Sequence, residues 1–191
     1  MKKTAVLLYD TCCLFELTVA LQMLKMAGKP VEYFAKSLNP IRTEEGMLIK
    51  ADKLIENLSI NEYDSLLITG AEDARKAVED PKVLLFIDKF YKANAVIGAI
   101  SIVPMFLLKL GYLVEKSFMI GCEKDDLLQE GFTPKDLKLM VGWRDSCEGK
   151  VPNNFLRSDK IITSVAFGFR EWAMAIGKEL GLEIYPKSFG L

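Results

Sequence analysis

The stretch from Ala95 to Gly111 limits the possible folds more than any other part of the chain. Ala95-Val96-Ile97-Gly98-Ala99-Ile100 is a short apolar run, partly β-branched, and reads as a fully buried strand. Past Ser101 the pattern changes. Met105, Leu108 and Leu110 recur at near-helical spacing, Pro104 suits the first turn of a helix, and Gly111 suits the position just beyond its end. Ser101 therefore falls on a strand-to-helix turn. In α/β folds that turn holds nucleophiles beside the open N–H groups of a helix N-terminus.

The rest of the chain alternates in the same way. Residues 4–9 read as a strand, Asp10-Thr11 as a turn and helix cap, and residues 14–26 as a helix closed by Gly28 and Pro30. Glu16 interrupts the apolar surface of that helix in its first turn. Residues 31–34 form a second strand. Residues 41–43 and 47–49 form a hairpin around Glu44-Glu45-Gly46, with Arg42, Glu44 and Glu45 read as a solvated turn. A buried strand at 65–69 runs into Gly70-Ala71 and is followed by helices at 72–78 and 81–92. Beyond Gly111 the signals are a strand at 117–121, a polar helical turn or loop at 124–131, a strand at 137–143 and a turn-rich insertion at 145–154. A strand at 160–165 and an amphipathic helix at 167–180, closed by Gly181, complete the chain. Continuous apolar strands alternating with helices predict a parallel sheet covered on both faces, one α/β domain over residues 1–191. Ligands of such sheets bind beyond the strands' carboxyl ends. Three such ends stand out: Asp10 to Glu16, Thr69 to Glu72 and Ser101 to Pro104.

Composition narrows the chemistry. The net charge of −1 gives no basic excess for nucleic acid, and no apolar run reaches the roughly 18 residues of a membrane span. The apolar part of the N-terminus is too short for a leader, so a cytoplasmic protein is expected. Cys12, Cys13, Cys122 and Cys147 lack C-x-x-C spacing and read as reduced thiols. There are no histidines, which removes Ser-His-Asp and Cys-His catalysis and most zinc or non-haem iron sites, so neither metal nor cofactor is expected. Serine needs a partner base to become a nucleophile. Glu16 is a lone carboxylate, and Lys109 lies two helical turns away. Cys12 and Cys13 fall in the first turn of helix one, where the helix dipole lowers a thiol's pKa; the alternative is that both are small packed hydrophobes. Cys122 and Cys147 read as packing or loop thiols, and Trp143 and Trp172 as core or dimer contacts.

Four segments carry a family resemblance. Leu7-Leu8-Tyr9-Asp10 with Phe15-Glu16-Leu17, Glu62-Tyr63-Asp64-Ser65-Leu66-Leu67-Ile68-Thr69-Gly70, Ala99-Ile100-Ser101-Ile102-Val103-Pro104 and Asp159-Lys160-Ile161-Ile162-Thr163-Ser164 follow in the order and spacing of the ThiJ/PfpI superfamily. The resemblance implies a flavodoxin-like three-layer sandwich related to class I glutamine amidotransferases, in most members a homodimer. It implies a nucleophile elbow at Ser101, where the family holds a cysteine, and an acid at Glu16 that hydrogen-bonds the elbow residue. It also implies an oxyanion hole surrounded by Gly70, Ala71 and Ile102. The departures cluster at the reactive centre: Ser101 replaces the cysteine, Ile102 and Val103 replace a small residue and glycine, Ala71 replaces the second glycine of a Gly-Gly turn, and Thr69 replaces a proline.

The expected function is that of a divergent member without cysteine chemistry, a binder or sensor of a small carbonyl or anionic metabolite. The alternative is a hydrolase, hydratase or glyoxalase-like enzyme using Cys13 or Ser101 with Glu16. A dimeric interaction module without a ligand is the third class.

Overall fold

A computed structural model describes residues 1–191. In chain order, β1 (Lys3–Leu7) leads through a 3-10 turn to α1 (Thr18–Met26) and β2 (Val31–Ala35). Next come the hairpin strands β3 (Ile41–Arg42) and β4 (Leu48–Ile49), then β5 (Lys53–Leu54), β6 (Tyr63–Ile68), α2 (Arg75–Val78) and α3 (Pro81–Lys92). The strand and helix around Ser101 are β7 (Val96–Ile100) and α4 (Pro104–Lys109). The C-terminal part holds β8 (Phe118–Met119), α5 (Lys124–Gln129), β9 (Met140–Val141), α6 (Trp143–Cys147), β10 (Phe155–Ser158), β11 (Ile161–Ser164) and α7 (Phe169–Glu179).

Seven strands form the main sheet in the order β10-β11-β7-β6-β1-β2-β5. All neighbours are parallel except β10 with β11. This is the mostly parallel, flavodoxin-like α/β sandwich expected. The chain turns one way from β1 to β2 and the other way from β6 to β7. Right-handed crossovers then put α1 and α3 on opposite faces. α1 packs against α7 on one face. There Gly98 admits the ends of Trp172 and Ile176, and a Cβ at this position would stand 2.6 Å from Ile176 Cδ1. On the other face Phe86 and Phe90 of α3 meet Phe34 and Tyr63 with ring centroids 5.2–6.1 Å apart. Trp172 is fully buried, its indole N–H donating to Ile162 O at 3.1 Å, so it is a core residue. No helix is long and apolar enough to cross a membrane.

Local chemistry explains most boundaries. Asp80 caps α3 by accepting from Lys82 N at 2.9 Å, with Pro81 at the first helical position. Residues 124–129 are helical because Glu123 and Asp126 form a reciprocal capping box. Several expectations need correction. Residues 15–17 are a 3-10 turn, with the α-helix starting at Thr18. The acceptor for the first amides there is the Glu45 carboxylate, 2.7 Å from Leu14 N and 2.9 Å from Phe15 N, rather than Asp10 or Thr11. Glu45 is thus an exposed turn residue, as expected, that also caps the helix start from the hairpin. The strand expected at 137–143 shrinks to β9, and part of the expected loop at 145–154 is α6, whose first turn is capped from a distance by Glu123 Oε1 accepting from Arg144 N at 2.8 Å. β5 and the antiparallel edge strand β10 carry too few apolar residues to be read from pattern.

Candidate functional site

Ser101 follows β7 directly and has φ +67°, the left-handed region that L-residues with a Cβ rarely adopt. Two neighbours hold it there. Its N–H donates to Ser164 O of β11 at 2.9 Å, and its carbonyl accepts from Gly121 N at 2.8 Å. Gly121 is glycine for a spatial reason, since a Cβ there would lie 3.1 Å from Ser101 C.

Glu16 reaches this turn from below. It is 2 % exposed, and its Oε2 lies 2.7 Å from Gly70 N and 3.0 Å from Thr69 Oγ1. A Cβ built on Gly70 would stand 2.8 Å from both Glu16 Oε2 and Ser101 Oγ, so only glycine fits between them, and the Ser101 hydroxyl is a hydrogen-bonding neighbour of the carboxyl. Burial pushes the Glu16 pKa above the usual carboxylate range, and this outweighs the opposing donors Gly70 N, Thr69 and Ser101. Thr69 Oγ1 faces two acceptors, Cys13 O and Glu16 Oε2, the latter at 3.0 Å. Burial thus favours the protonated form of Glu16 and weakens it as a base.

The Gly70 N–H is committed to Glu16. The amides of Ala71 and Ile102, on either side of this turn, make no hydrogen bond within the chain and are open donors. Ala71, Ser101 and Ile102 line one cavity of about 370 Å³ together with Met105, Cys122 and residues of α5. Gly70 and Glu16 lie behind its wall. Glu72, Asp73, Asp126 and Glu130 make the rim acidic, while Arg75 is occupied by a forked pair with Asp73 at 2.8–2.9 Å.

Cys13 is not on this wall. Its thiol lies 3.5 Å from Glu45 Oε1, and its amide donates to Gly70 O at 2.8 Å. The expectation that the helix start lowers its pKa is reversed. Burial and the neighbouring carboxyls Glu16, Glu44 and Glu45 push the thiol far up. Cys12 is fully buried and likewise pushed up. Sequence reasoning missed Cys122, which does line the cavity, but burial with Asp126 and Glu123 pushes it up to about 12. Its only signal in the sequence is Gly121 before it. Lys109 pairs with Glu79 on the surface at 3.1 Å. The described residues contain no cluster of metal-ligating side chains.

Residues 2–174 match the model of the DJ-1/PfpI family. The fold is similar to that of a DJ-1 superfamily protein from Agrobacterium tumefaciens, with a TM-score of 0.80 and 14% identity over 100% of this chain and 95% of that one. It is also similar to Drosophila melanogaster DJ-1beta, with a TM-score of 0.74 and 20% identity over 94% of this chain and 91% of that one. A two-domain protein from Anabaena variabilis, with DJ-1/ThiJ/PfpI-like and ferritin-like domains, aligns at TM-score 0.77 and 19% identity over 95% of this chain, which spans only 48% of it. No curated protein matches. The family match covers nearly the whole chain and includes every segment that builds the Ser101 turn, and the chain belongs to the DJ-1/PfpI family.

Proposed function

We propose that this protein binds or senses a small uncharged carbonyl compound at the Ser101 cavity and has given up the cysteine chemistry that the family resemblance implies. The observation that carries this reading is the pair of open amides, Ala71 N and Ile102 N, beside a serine whose neighbouring carboxyl, Glu16, is shifted toward its protonated form by burial. Two N–H groups suit a carbonyl oxygen. Burial favours the protonated form of Glu16, which makes it a poor acceptor for the serine proton, and no thiol near the site has a lowered pKa. The acidic rim favours an uncharged carbonyl over the anionic metabolite that the sequence left open.

The test compares binding with turnover. Dihydroxyacetone and methylglyoxal should raise the melting temperature of the wild type more than pyruvate does, and methylglyoxal should not be consumed. The Ser101→Cys protein, given peroxide, should gain oxygen at that position by intact mass and peptide mapping. Methylglyoxal turnover abolished by Ser101→Ala or Cys13→Ala would establish the enzyme reading instead. No thermal response to any carbonyl compound would leave an interaction module.

A further inference from the structure

A second cavity, of about 480 Å³, opens at the carboxyl ends of β1 and β2 beneath α2 and α3. Its volume is that of a small-molecule site. The floor is apolar and closed, with Leu8, Ala35 and Val83 each at most 3 % exposed, and partly exposed Ile41 and Ala77 give the cavity its apolar surface. The rim is charged, and most of its charge is already used. Asp80 holds Lys36 and caps α3, and Asp73 takes the Arg75 fork. Two rim groups remain, Lys76 and Asp10, and neither forms an ion pair with the other or with any other residue. The cavity is separate from the Ser101 site. The segment Gly70–Asp73 runs between them and is tied to Thr11 by Glu72 N donating to Thr11 O at 3.2 Å.

We propose that this cavity binds a small zwitterion with an apolar side chain, the class of the free α-amino acids. Its carboxylate sits on Lys76, its ammonium on Asp10, and its side chain against Ile41 and Ala77, over the floor of Leu8, Ala35 and Val83. Charge complementarity selects this class. A simple anion leaves Asp10 unpaired, and a simple cation leaves Lys76 unpaired. A zwitterion satisfies both unpaired groups while its side chain covers the apolar floor.

The experiment is a titration of the 15N-labelled full chain with L-phenylalanine, L-phenylalaninamide and 3-phenylpropionate, followed by amide chemical shifts. The amide lacks the carboxylate and the propionate lacks the ammonium. L-phenylalanine should give saturable shifts centred on Ala35, Lys36 and Ala77, and each analogue should bind about tenfold more weakly or worse. Lys76→Glu changes an exposed side chain, so the fold persists, and it should weaken L-phenylalanine binding by about tenfold or more. The proposal is overturned by any of three results. One is the absence of saturable shifts up to about 10 mM, where a site of millimolar affinity fills. Another is equal binding of the three compounds or of the Lys76→Glu protein. The third is a set of shifts centred on Ser101 and Gly121 instead. These outcomes are independent of whether the Ser101 cavity binds a carbonyl compound.

Discussion

Ser101 keeps a left-handed backbone that costs a Cβ-bearing residue about 1–2 kcal/mol relative to glycine. The bonds to Ser164 O and Gly121 N hold it there. Ser101→Gly and Ser101→Ala both lose the hydroxyl against Glu16, so their difference isolates the backbone. The glycine variant should be the more stable by about 1 kcal/mol in urea unfolding, once the larger unfolded-state freedom of glycine is set against the relief. Equal stability of the two would mean the turn carries no strain. Glu16 makes a prediction with a definite sign. Its folded pKa lies above the ordinary 4.5, so folding favours the protonated form. Its contribution is fully present below pH 4.5 and is lost as pH rises through the folded value. Glu16→Gln keeps a neutral donor and acceptor. Its unfolding free energy should fall less than that of the wild type as pH rises above 4.5. Parallel pH profiles of the two proteins would place the proton elsewhere.

At the scale of elements, the hairpin β3–β4 serves the start of helix one. Burial opposes ionisation of Glu45, but the amides of Phe15 and Leu14 and the Thr43 hydroxyl hold its pKa below the usual range. Glu45→Ala should cost about 1 kcal/mol, the usual effect of a lost cap, and should speed hydrogen exchange at Leu14 and Phe15. Unchanged exchange at those two amides would show that the cap is not needed. This contact also marks the limit of sequence reading. Buried parallel strands were legible because both faces are covered, so their residues are apolar without interruption: the spans expected at 4–9, 65–69 and 95–100 are β1, β6 and β7 within a residue or two at each end. Pro81–Lys92 was legible because Asp80, Pro81 and the helical period agree. Glu45 was not, because its partners lie about thirty residues away and its own neighbours, Glu44 and Gly46, read as an exposed turn. The site was legible in part. Ser101, Ala71 and Ile102 share a cavity wall because each follows a strand's carboxyl end. The direction of the Cys13 thiol, and hence its high pKa, depends on where the hairpin carboxylates sit in three dimensions, and no local pattern encodes that.

For the whole molecule, the accessible surface is 9192 Å², close to the roughly 9,200 Å² expected of a compact monomer of 21.5 kDa. No arm projects for exchange between copies, so association must use patches of side chains. One patch is suited to it. Ala20, Met23 and Leu24 of α1 are buried against the sheet and α7, but Val19 and Leu21 are only partly covered, and Phe15 and Met26 each remain 44% exposed. Phe15 stands edge-on to Phe169 at 5.5 Å, and Trp143, itself 40% exposed, stands edge-on to Phe167 at 5.5 Å. Large aromatic rings of this kind are the usual anchors of an interface, and a standard one needs about 800 Å² from each partner, under a tenth of this surface. We expect a homodimer that covers the α1 face. Light scattering at micromolar concentration should give about twice the 21.5 kDa chain mass. Phe15→Glu, which places a charge among the anchors without touching the buried core, should return the mass to that of one chain and leave the circular dichroism spectrum unchanged. A wild-type mass of 21.5 kDa, or a Phe15→Glu dimer as tight as the wild type, would take the assembly off this face.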